Sequence, residues 1–238
     1  MKKVNLLVAV VALMAGIFAS SCDFKKSVKL NNGLDSASYA IGILNGSGFR
    51  QNIKTGVPGG ELNIDMLLAG FEETLRADSA KTKISMEEAQ TFIQEYFNRI
   101  QTEMSTKAKG EGDKFLEENK AKPGVITTES GLQYQVITEG TGERPKATDN
   151  VKVHYTGTLL DGTVFDSSVE RGEPATFGVG QVIKGWTEGL QIMPVGSKYI
   201  FWIPSDLAYG ERGMGQDIKP NSMLKFEVEL LEIVAAAE

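Results

Sequence analysis

The spacing of apolar residues in this 238-residue chain changes near residue 124 from a helical period to the period of a β-strand. Before that point, apolar residues recur three and four positions apart, as on one face of a helix. After it they alternate with polar ones, which is typical of strands with one buried face and one wet face. Examples are Leu132-Gln133-Tyr134-Gln135-Val136, Val151-Lys152-Val153-His154-Tyr155 and Leu224-Lys225-Phe226-Glu227-Val228. The change predicts an α+β chain, with a small all-α domain over residues 35–122 and a sheet domain over residues 123–235.

The longest helix predicted in the first half covers residues 86–119 and connects the two domains. Ser85-Met86-Glu87-Glu88 fits a capping box, in which the Ser hydroxyl and the Glu carboxylate satisfy backbone amides of the first turn. A helix of this length extends about 51 Å. Gly110 and Gly112 favour a kink, because each costs about 1 kcal/mol relative to Ala. Apolar residues become sparse after Met104, so we expect the second half to be a solvated rod.

The first half of that helix carries a wide apolar stripe that a single helix cannot bury. It includes Phe92, Ile93, Phe97 and Ile100. Since three helices make only a thin domain, the stripe predicts burial against a second copy of the chain, that is, a homodimer through the helical domain. A self-contained three-helix bundle is the alternative.

The second half predicts a curved antiparallel sheet around one short helix. Asp161-Gly162 stands between two strand-like runs and is typical of a tight hairpin turn. Ile183, Trp186 and Leu190 share one helical face before Met193-Pro194 ends the segment.

The N-terminus is typical of a signal peptide over residues 1–21. Met1-Lys2-Lys3 is positively charged, and fourteen apolar or small residues follow from Leu6 to Ala19, fewer than the roughly 20 of a membrane-spanning helix. Cys22 then resembles the lipid-modified cysteine of a bacterial lipoprotein, although Ala19 stands where that motif usually has Leu. Residues 22–34 are predicted to be a flexible tether. A secreted protein with an incidental thiol is the alternative.

Composition excludes several classes of function. A formal charge of −6 argues against a general nucleic-acid binder. One His and one Cys cannot supply the ligands of a His/Cys zinc site, and an intramolecular disulfide needs two thiols. The sequence has no Gly-x-Ser-x-Gly elbow, Walker loop or complete Gly-x-Gly-x-x-Gly motif. His154 lies opposite Tyr155 in the alternation and is interpreted as a hydrogen-bonded structural residue. We therefore expect no metal and no cofactor.

The sheet domain has more aromatic residues than a domain of its size needs for a core. They are Tyr155, Phe165, Phe177, Trp186, Tyr209 and Phe226. For any single one of them, a place in the core is the simpler interpretation.

Six segments stand together in the order of a known family. They are Val153-His154-Tyr155-Thr156-Gly157, Asp161-Gly162-Thr163-Val164-Phe165-Asp166-Ser167-Ser168, Gln181-Val182-Ile183-Lys184-Gly185-Trp186-Thr187-Glu188-Gly189, Ile203-Pro204-Ser205-Asp206-Leu207-Ala208-Tyr209-Gly210, Pro220-Asn221-Ser222 and Phe226-Glu227-Val228-Glu229-Leu230-Leu231. This run resembles the FK506-binding (FKBP) type of peptidyl-prolyl cis-trans isomerase over residues 123–234. The helical half is similar, more loosely, to the dimerisation domain and connecting helix of macrophage-infectivity-potentiator (Mip) and FkpA-like isomerases.

The resemblance implies a role for each of eleven residues. Trp186 would form the floor under the substrate proline, and the walls would be Tyr155, Phe177, Val182, Ile183 and Phe226. The backbone amide of Ile183 and the hydroxyl of Tyr209 would hold substrate carbonyls. Asp166, beside Phe165, would face the twisting carbonyl, or would instead pair with Arg171 and fix the loop. Ile218 completes the substrate-binding set.

Four departures from the family pattern concern ligand choice. Ala175 stands where short members carry Phe, and Met214, Asp217 and Lys219 replace the usual residues of the loop after Tyr209. The resemblance implies FK506- and rapamycin-class ligands, whose affinity these four positions would alter.

The expected function is therefore prolyl isomerisation that assists the folding of exported proteins, with proline-containing unfolded polypeptides as substrates. The expected location is the bacterial cell envelope, lipid-anchored through Cys22 at the outer membrane and facing the periplasm or the cell surface. No nucleic-acid partner is expected, and no membrane contact except through the lipid. The alternative is a non-catalytic holdase that uses the same pocket and cleft to grip unfolded clients.

Overall fold

The structure is a computed structural model that describes residues 28–57, 62–76 and 82–234. The predicted signal peptide over residues 1–21 and the lipidation site at Cys22 lie outside the described residues. No helix within the described ranges combines the length and the apolar character needed to cross a membrane.

The chain divides into two compact units, one up to Gln51 and one from Asn52 onward. Helix α1 covers Gly33–Gly56, α2 covers Ile64–Arg76 and α3 covers Met86–Asn119. Helix α1 begins within the predicted tether, because Asn32 caps it: its Oδ1 accepts from the amide of Asp35 at 2.9 Å.

Helix α3 begins with the predicted capping box. Ser85 Oγ accepts from the amide of Glu88 at 3.2 Å, and a carboxylate oxygen of Glu88 accepts from the amide of Ser85 at 2.8 Å. The bond from the Ser85 backbone holds the pKa of Glu88 below its ordinary value. The helix runs without interruption through Gly110 and Gly112.

The described residues form a seven-stranded antiparallel sheet in the order β1-β2-β6-β7-β3-β4, with β5 paired to β3. The strands are β1 Val125–Thr127, β2 Gln133–Thr138, β3 Asn150–Thr158, β4 Val164–Ser167, β5 Ala175–Gly178, β6 Lys198–Ile203 and β7 Leu224–Val234. The alternation predicted for β3 and β7 is present, with Val151, Val153, Tyr155, Phe226 and Val228 buried. The predicted fold class is confirmed.

Two short helices, α5 and α4, pack on this sheet. The expected helix, α5, covers Lys184–Ile192 and buries Trp186 and Leu190 in the core. A one-turn helix, α4 at Ser168–Arg171, was not expected. Ser167 caps α4 through the amide of Glu170, and Gly172, with φ at 80°, ends it. Four residues are too short for a helical period to show in the sequence.

The prediction that the second half of α3 is a solvated rod is wrong. Gly112 and Asn119 are buried, and Asn119 is 1% exposed. Asn119 Nδ2 donates to Gln133 Oε1 at 2.9 Å, and Gln133 Nε2 donates to the carbonyl oxygen of Leu116 at 2.8 Å. Gln133, expected on the wet face of its strand, is therefore buried under the helix. The contact between α3 and the sheet domain is made by a glycine and by amide side chains, so apolar periodicity in the sequence does not predict it.

Candidate functional site

Trp186 lies at the centre of a cluster of aromatic rings in the sheet domain. Its ring meets Phe226 at a centroid distance of 5.1 Å, Tyr155 at 5.2 Å and Phe177 at 5.6 Å, each close to perpendicular. Such edge-to-face contacts suit the charge distribution of aromatic rings. We call these four residues the aromatic cup. Trp186 is 5% exposed, and its indole nitrogen is buried without a hydrogen-bond partner among the described residues.

Strand register and one glycine bring the rings together. Gly157 of β3 stands directly opposite Phe226 of β7, and Phe165 of β4 meets Phe226 edge-on at 5.4 Å. A Cβ on Gly157 would lie 2.6 Å from Phe165 Cζ and 2.8 Å from Phe226 Cε1. The close approach of the two phenyl rings therefore requires glycine at position 157. The motif quoted in the sequence contained this glycine, but its role could not be assigned without the register.

The remaining predicted apolar binding residues belong to or pack against the core that contains the cup. Phe165, Val182, Ile183 and Tyr209 are half-buried, and Ile218 is 6% exposed. Ile183 directly precedes α5, and its carbonyl oxygen accepts from the amide of Trp186 at 2.9 Å. The first turn of α5 therefore holds both Trp186 and Ile183 in place.

Three polar groups form a network at one edge of the cup. The hydroxyl of Tyr155 and the guanidinium of Arg171 both donate short hydrogen bonds to Asp166. A second nitrogen of Arg171 donates to the Tyr155 hydroxyl oxygen at 3.0 Å. The pairing of Asp166 with Arg171 that the sequence left as an alternative is present. Asp166 remains 40% exposed at its side chain, so it presents a fixed negative charge at the rim.

The pKa of each group in this network, and that of Tyr209, lies further from 7 than its ordinary value. Burial raises the pKa of Tyr155, and its hydrogen bond to Asp166 adds to that effect. Burial alone would raise the pKa of Asp166, but the hydrogen bonds from Tyr155 and Arg171 outweigh it, and the pKa lies below its ordinary value. The hydrogen bond to Tyr155, and then that to Asp166, raises the pKa of Arg171. Burial, and then the charge of Asp166, raises the pKa of Tyr209.

The unique histidine is used structurally. His154 Nδ1 lies 3.1 Å from Ser168 Oγ, and that hydroxyl also accepts from the amide of Tyr155 at 2.8 Å. Within the part of the chain that the structure describes, no group of three or more His, Cys, Asp or Glu side chains could hold a metal ion.

Three of the four departures from the family pattern, Met214, Asp217 and Lys219, are exposed, and Met214 is 55% exposed. The fourth, Ala175, is half-buried on β5 and packs against the core. Met214 and Ile218 exchange backbone hydrogen bonds of 2.7 and 3.1 Å, which close a tight loop around Asp217. Lys219 directly follows this loop.

Comparisons with known proteins agree for both halves of the chain. Residues 141–231 match the family model described as FKBP-type peptidyl-prolyl cis-trans isomerase, and residues 34–136 match the domain described as amino terminal to it. The chain is 49% identical over 209 residues to the FKBP-type isomerase FkpA of Aeromonas hydrophila, covering 84% of this chain and 76% of that protein. It is 40% identical to the outer membrane protein MIP of Legionella longbeachae, covering 95% and 97%.

A solved structure is also similar to this chain over most of its length. The crystal structure of FkpA from Escherichia coli superposes with a TM-score of 0.67 at 35% identity, covering 88% of this chain and all of that one.

Proposed function

The chain belongs to the FKBP-type peptidyl-prolyl cis-trans isomerases, and on that premise we propose that it catalyses X-Pro rotation by binding the twisted amide in the aromatic cup. Rotation about a peptide bond is opposed by roughly 18–20 kcal/mol of lost resonance. The two isomers at X-Pro differ little in energy but exchange in tens to hundreds of seconds. A catalyst therefore needs only to favour the twisted state.

The chemistry of the cup suits this task. Twisting uncouples the nitrogen lone pair from the carbonyl and makes the amide less dipolar, so an apolar site costs the transition state less desolvation than it costs the planar ground state. The observation that carries the proposal is the convergence of three rings on Trp186 at 5.1–5.6 Å. The polar network beside them has its protons fixed by mutual hydrogen bonds, and the proposed rotation requires no proton transfer.

We propose the residue roles that the family resemblance implies, and the ring contacts support those of the cup residues. Trp186 lies under the proline ring, with Tyr155, Phe177 and Phe226 packed edge-on against it as walls. Val182 and Phe165 extend the apolar surface, and Ile218 closes it from the loop side. The amide of Ile183 and the hydroxyl of Tyr209 hold substrate carbonyls. Asp166, fixed by Arg171, supplies a negative charge at the rim that faces the carbonyl carbon as it twists.

A protease-coupled assay on a short proline peptide tests the proposal. Phe226→Ala removes a wall that contacts Trp186, and Asp166→Ala removes the rim charge; each is expected to lower kcat/KM by about tenfold or more. Ile137→Ala is the matched control, because Ile137 is 50% exposed on β2, and it should keep full activity. Full turnover by both site variants, shown to be folded by near-UV circular dichroism, would contradict the proposal.

We propose that the protein is a homodimer through its helical domain. Helix α2 has no buried residue, and Met66 and Leu75 are 66% and 82% exposed. On α3, Phe92 and Ile93 of the predicted stripe are 64% and 51% exposed. Exposed apolar surface on this scale favours burial against a partner. The domain boundaries at residues 35–122 and 123–235 remain part of this proposal.

Light scattering on the mature protein tests the dimer. We expect twice the mass of one chain for the wild type. Replacing both Met66 and Leu75 by Glu should give the mass of a single chain, whereas Ile137→Glu, an equally polar change on the sheet domain, should not. A wild-type mass of one chain at micromolar concentration would refute the dimer.

We propose that Cys22 is lipidated after removal of residues 1–21, and that the protein assists the folding of exported proteins at the outer membrane, facing the periplasm or the cell surface. A leader of this type and the name of the related outer membrane protein MIP support this location. Incorporation of a labelled fatty acid into wild type but not into Cys22→Ser is the expected result. Equal labelling of both proteins would contradict it.

A second candidate function, client holding without catalysis, is favoured by the apolar residues exposed on α2 and α3. Suppression of aggregation that survives Phe226→Ala and Asp166→Ala, together with absent peptide turnover in wild type, would favour this holdase.

Macrolides of the FK506 and rapamycin class are proposed ligands of the cup. Competitive inhibition of peptide turnover by such a macrolide tests this proposal. Ala175→Phe should tighten macrolide binding, because the larger side chain raises the wall of the cup.

A further inference from the structure

The second half of α3 faces the sheet domain with residues spaced seven positions apart. Gly112 and Asn119 are buried and Ser105 is half-buried, whereas Glu111, Asp113 and Glu118 of the same helix are exposed. Seven residues are close to two helical turns, so the three lie along one face. The face is made of a hydroxyl, a glycine and an amide, which are suited to close approach and hydrogen bonding.

Gly112 is the point of closest approach. A Cβ added at this position would lie 2.9 Å from Met223 Cβ, a distance that ordinary van der Waals contact does not allow. Met223 is 4% exposed and directly precedes β7, the strand that carries Phe226. The helix and the start of that strand are therefore in direct contact because residue 112 has no side chain.

Asn221 connects α3 to the loop that follows Tyr209. Its Nδ2 donates to Ser105 Oγ at 2.8 Å, and its backbone amide donates to the carbonyl oxygen of Gly210 at 2.8 Å. Asn221 has a φ of 58°, a left-handed conformation that costs most residues free energy and that Asn tolerates. Gly210 directly follows Tyr209. One residue therefore connects α3 to the neighbour of a proposed substrate-binding hydroxyl.

We propose that α3 is a positioning element of the isomerase site, with Ser105, Gly112 and Asn221 as its positioning residues. The helix holds the loop over residues 210–223, which begins beside Tyr209 and contains Ile218. With the loop held, the Tyr209 hydroxyl and the Ile218 side chain stay at the rim of the aromatic cup before substrate arrives. A loop that must be ordered by the substrate weakens binding, because its conformational entropy is then lost on association. This inference rests on the isomerase function proposed above.

Two neighbouring glycines of α3 provide a matched test. Gly112→Ala places a methyl group against Met223, whereas Gly110→Ala meets nothing within 4 Å. Both changes raise helix propensity equally. We expect Gly112→Ala to raise KM for a proline peptide about fivefold with kcat changed less than twofold, and Gly110→Ala to leave both unchanged. The amide signals of Tyr209 and Ile218 in the NMR spectrum of the full chain should shift only in Gly112→Ala.

A second pair keeps the test decisive if Gly112→Ala does not fold. Ser105→Ala removes only the hydroxyl that accepts from Asn221, and Thr106→Ala removes a hydroxyl from an exposed neighbour. The first should raise KM about threefold and shift the same two amide signals, and the second should do neither. Equal KM values and spectra within each pair would overturn the positioning role. Absence of turnover in wild type would contradict the isomerase function instead, while the spectra would still decide whether α3 positions the loop.

Discussion

Gly157→Ala should open the aromatic cup without removing any residue from it. The new methyl group would lie 2.6 and 2.7 Å from two atoms of the Phe165 ring and 2.8 Å from Phe226. To reach an ordinary contact of 3.4 Å, the two rings must retreat by about 0.6 to 0.8 Å. The Phe226 ring also packs against Trp186, with 5.1 Å between the ring centroids. A displacement of Phe226 therefore disturbs Trp186, the floor of the cup.

The size of the effect follows from two separate costs. Overpacking a filled core costs typically 1–3 kcal/mol of stability. Misplacement of a binding group by about 1 Å costs on the order of 100-fold in rate, so a displacement slightly smaller than this should lower kcat/KM by about 10- to 100-fold. Gly142→Ala is the matched control. Its methyl group would lie 2.7 Å from Val195 Cβ, a similar clash in a loop that carries none of the proposed binding residues.

Isomerisation of a proline peptide is measured at a temperature where calorimetry shows both variants to be folded. We expect Gly142→Ala to remain within about twofold of wild type while Gly157→Ala loses at least ten times more activity. If the two variants lose stability similarly and also retain activity similarly, the position of the rings does not determine the rate, and the reasoning from the cup is refuted.

Three further predictions concern charge and burial. The rate constant kcat/KM should not change from about pH 6 to pH 9, because the pKa of Asp166 lies below this window and those of Tyr155 and Tyr209 lie above it. An inflection of the pH profile inside the window would count against these protonation states. The folded-state pKa of Asp166 is depressed, so the stability it contributes is present above its unfolded value of 3.8 and is lost as pH falls through the folded value; the melting temperatures of wild type and Asp166→Asn should therefore differ at pH 7 and converge in acid, and a constant difference would disprove this. Asn119→Ala should lower the free energy of unfolding in urea by about 1–3 kcal/mol, because it leaves the buried Oε1 of Gln133 without its donor; an unchanged midpoint would show that water replaces the bond.

Patterns that depend only on local sequence predicted the elements of the fold well. The alternation along β3 and β7 placed Tyr155 and Phe226 on the buried face, and the capping residues placed the start of α3 at Met86. Both patterns reflect direct physical requirements, since one face of a strand must be buried and the first turn of a helix must satisfy its amides. The fold class and the isomerase family followed from them and from the quoted motifs.

Features that depend on tertiary contact were not predicted. The burial of Gln133 and Asn119 arises because each satisfies the other, and neither residue type signals burial alone. The close packing of Gly112 on Met223 depends on two segments more than 100 residues apart. The close approach of Phe165 and Phe226 to Gly157 likewise depends on strand register. Hydrophobic periodicity carries no information about such contacts, because it reports only which residues avoid water.

The candidate site shows the same division. The residues that converge on Trp186 were named from the family resemblance, and the pairing of Asp166 with Arg171 was one of two alternatives. The distances between the rings, the bonds of Tyr155 in the polar network and the contact of α3 with Asn221 required the three-dimensional structure. The individual roles in binding and rotation remain predictions for the experiments above.

The central claim is that an apolar aromatic site accelerates rotation about the prolyl bond without moving a proton. Measuring kcat/KM for one proline peptide in H2O and in D2O, on the pH plateau, tests this claim most directly. Because rotation requires no proton transfer in the transition state, the two values should be equal within error. A clearly slower reaction in D2O would mean that a group such as Asp166 or Tyr209 transfers a proton during the rate-limiting step, and the account would then be wrong.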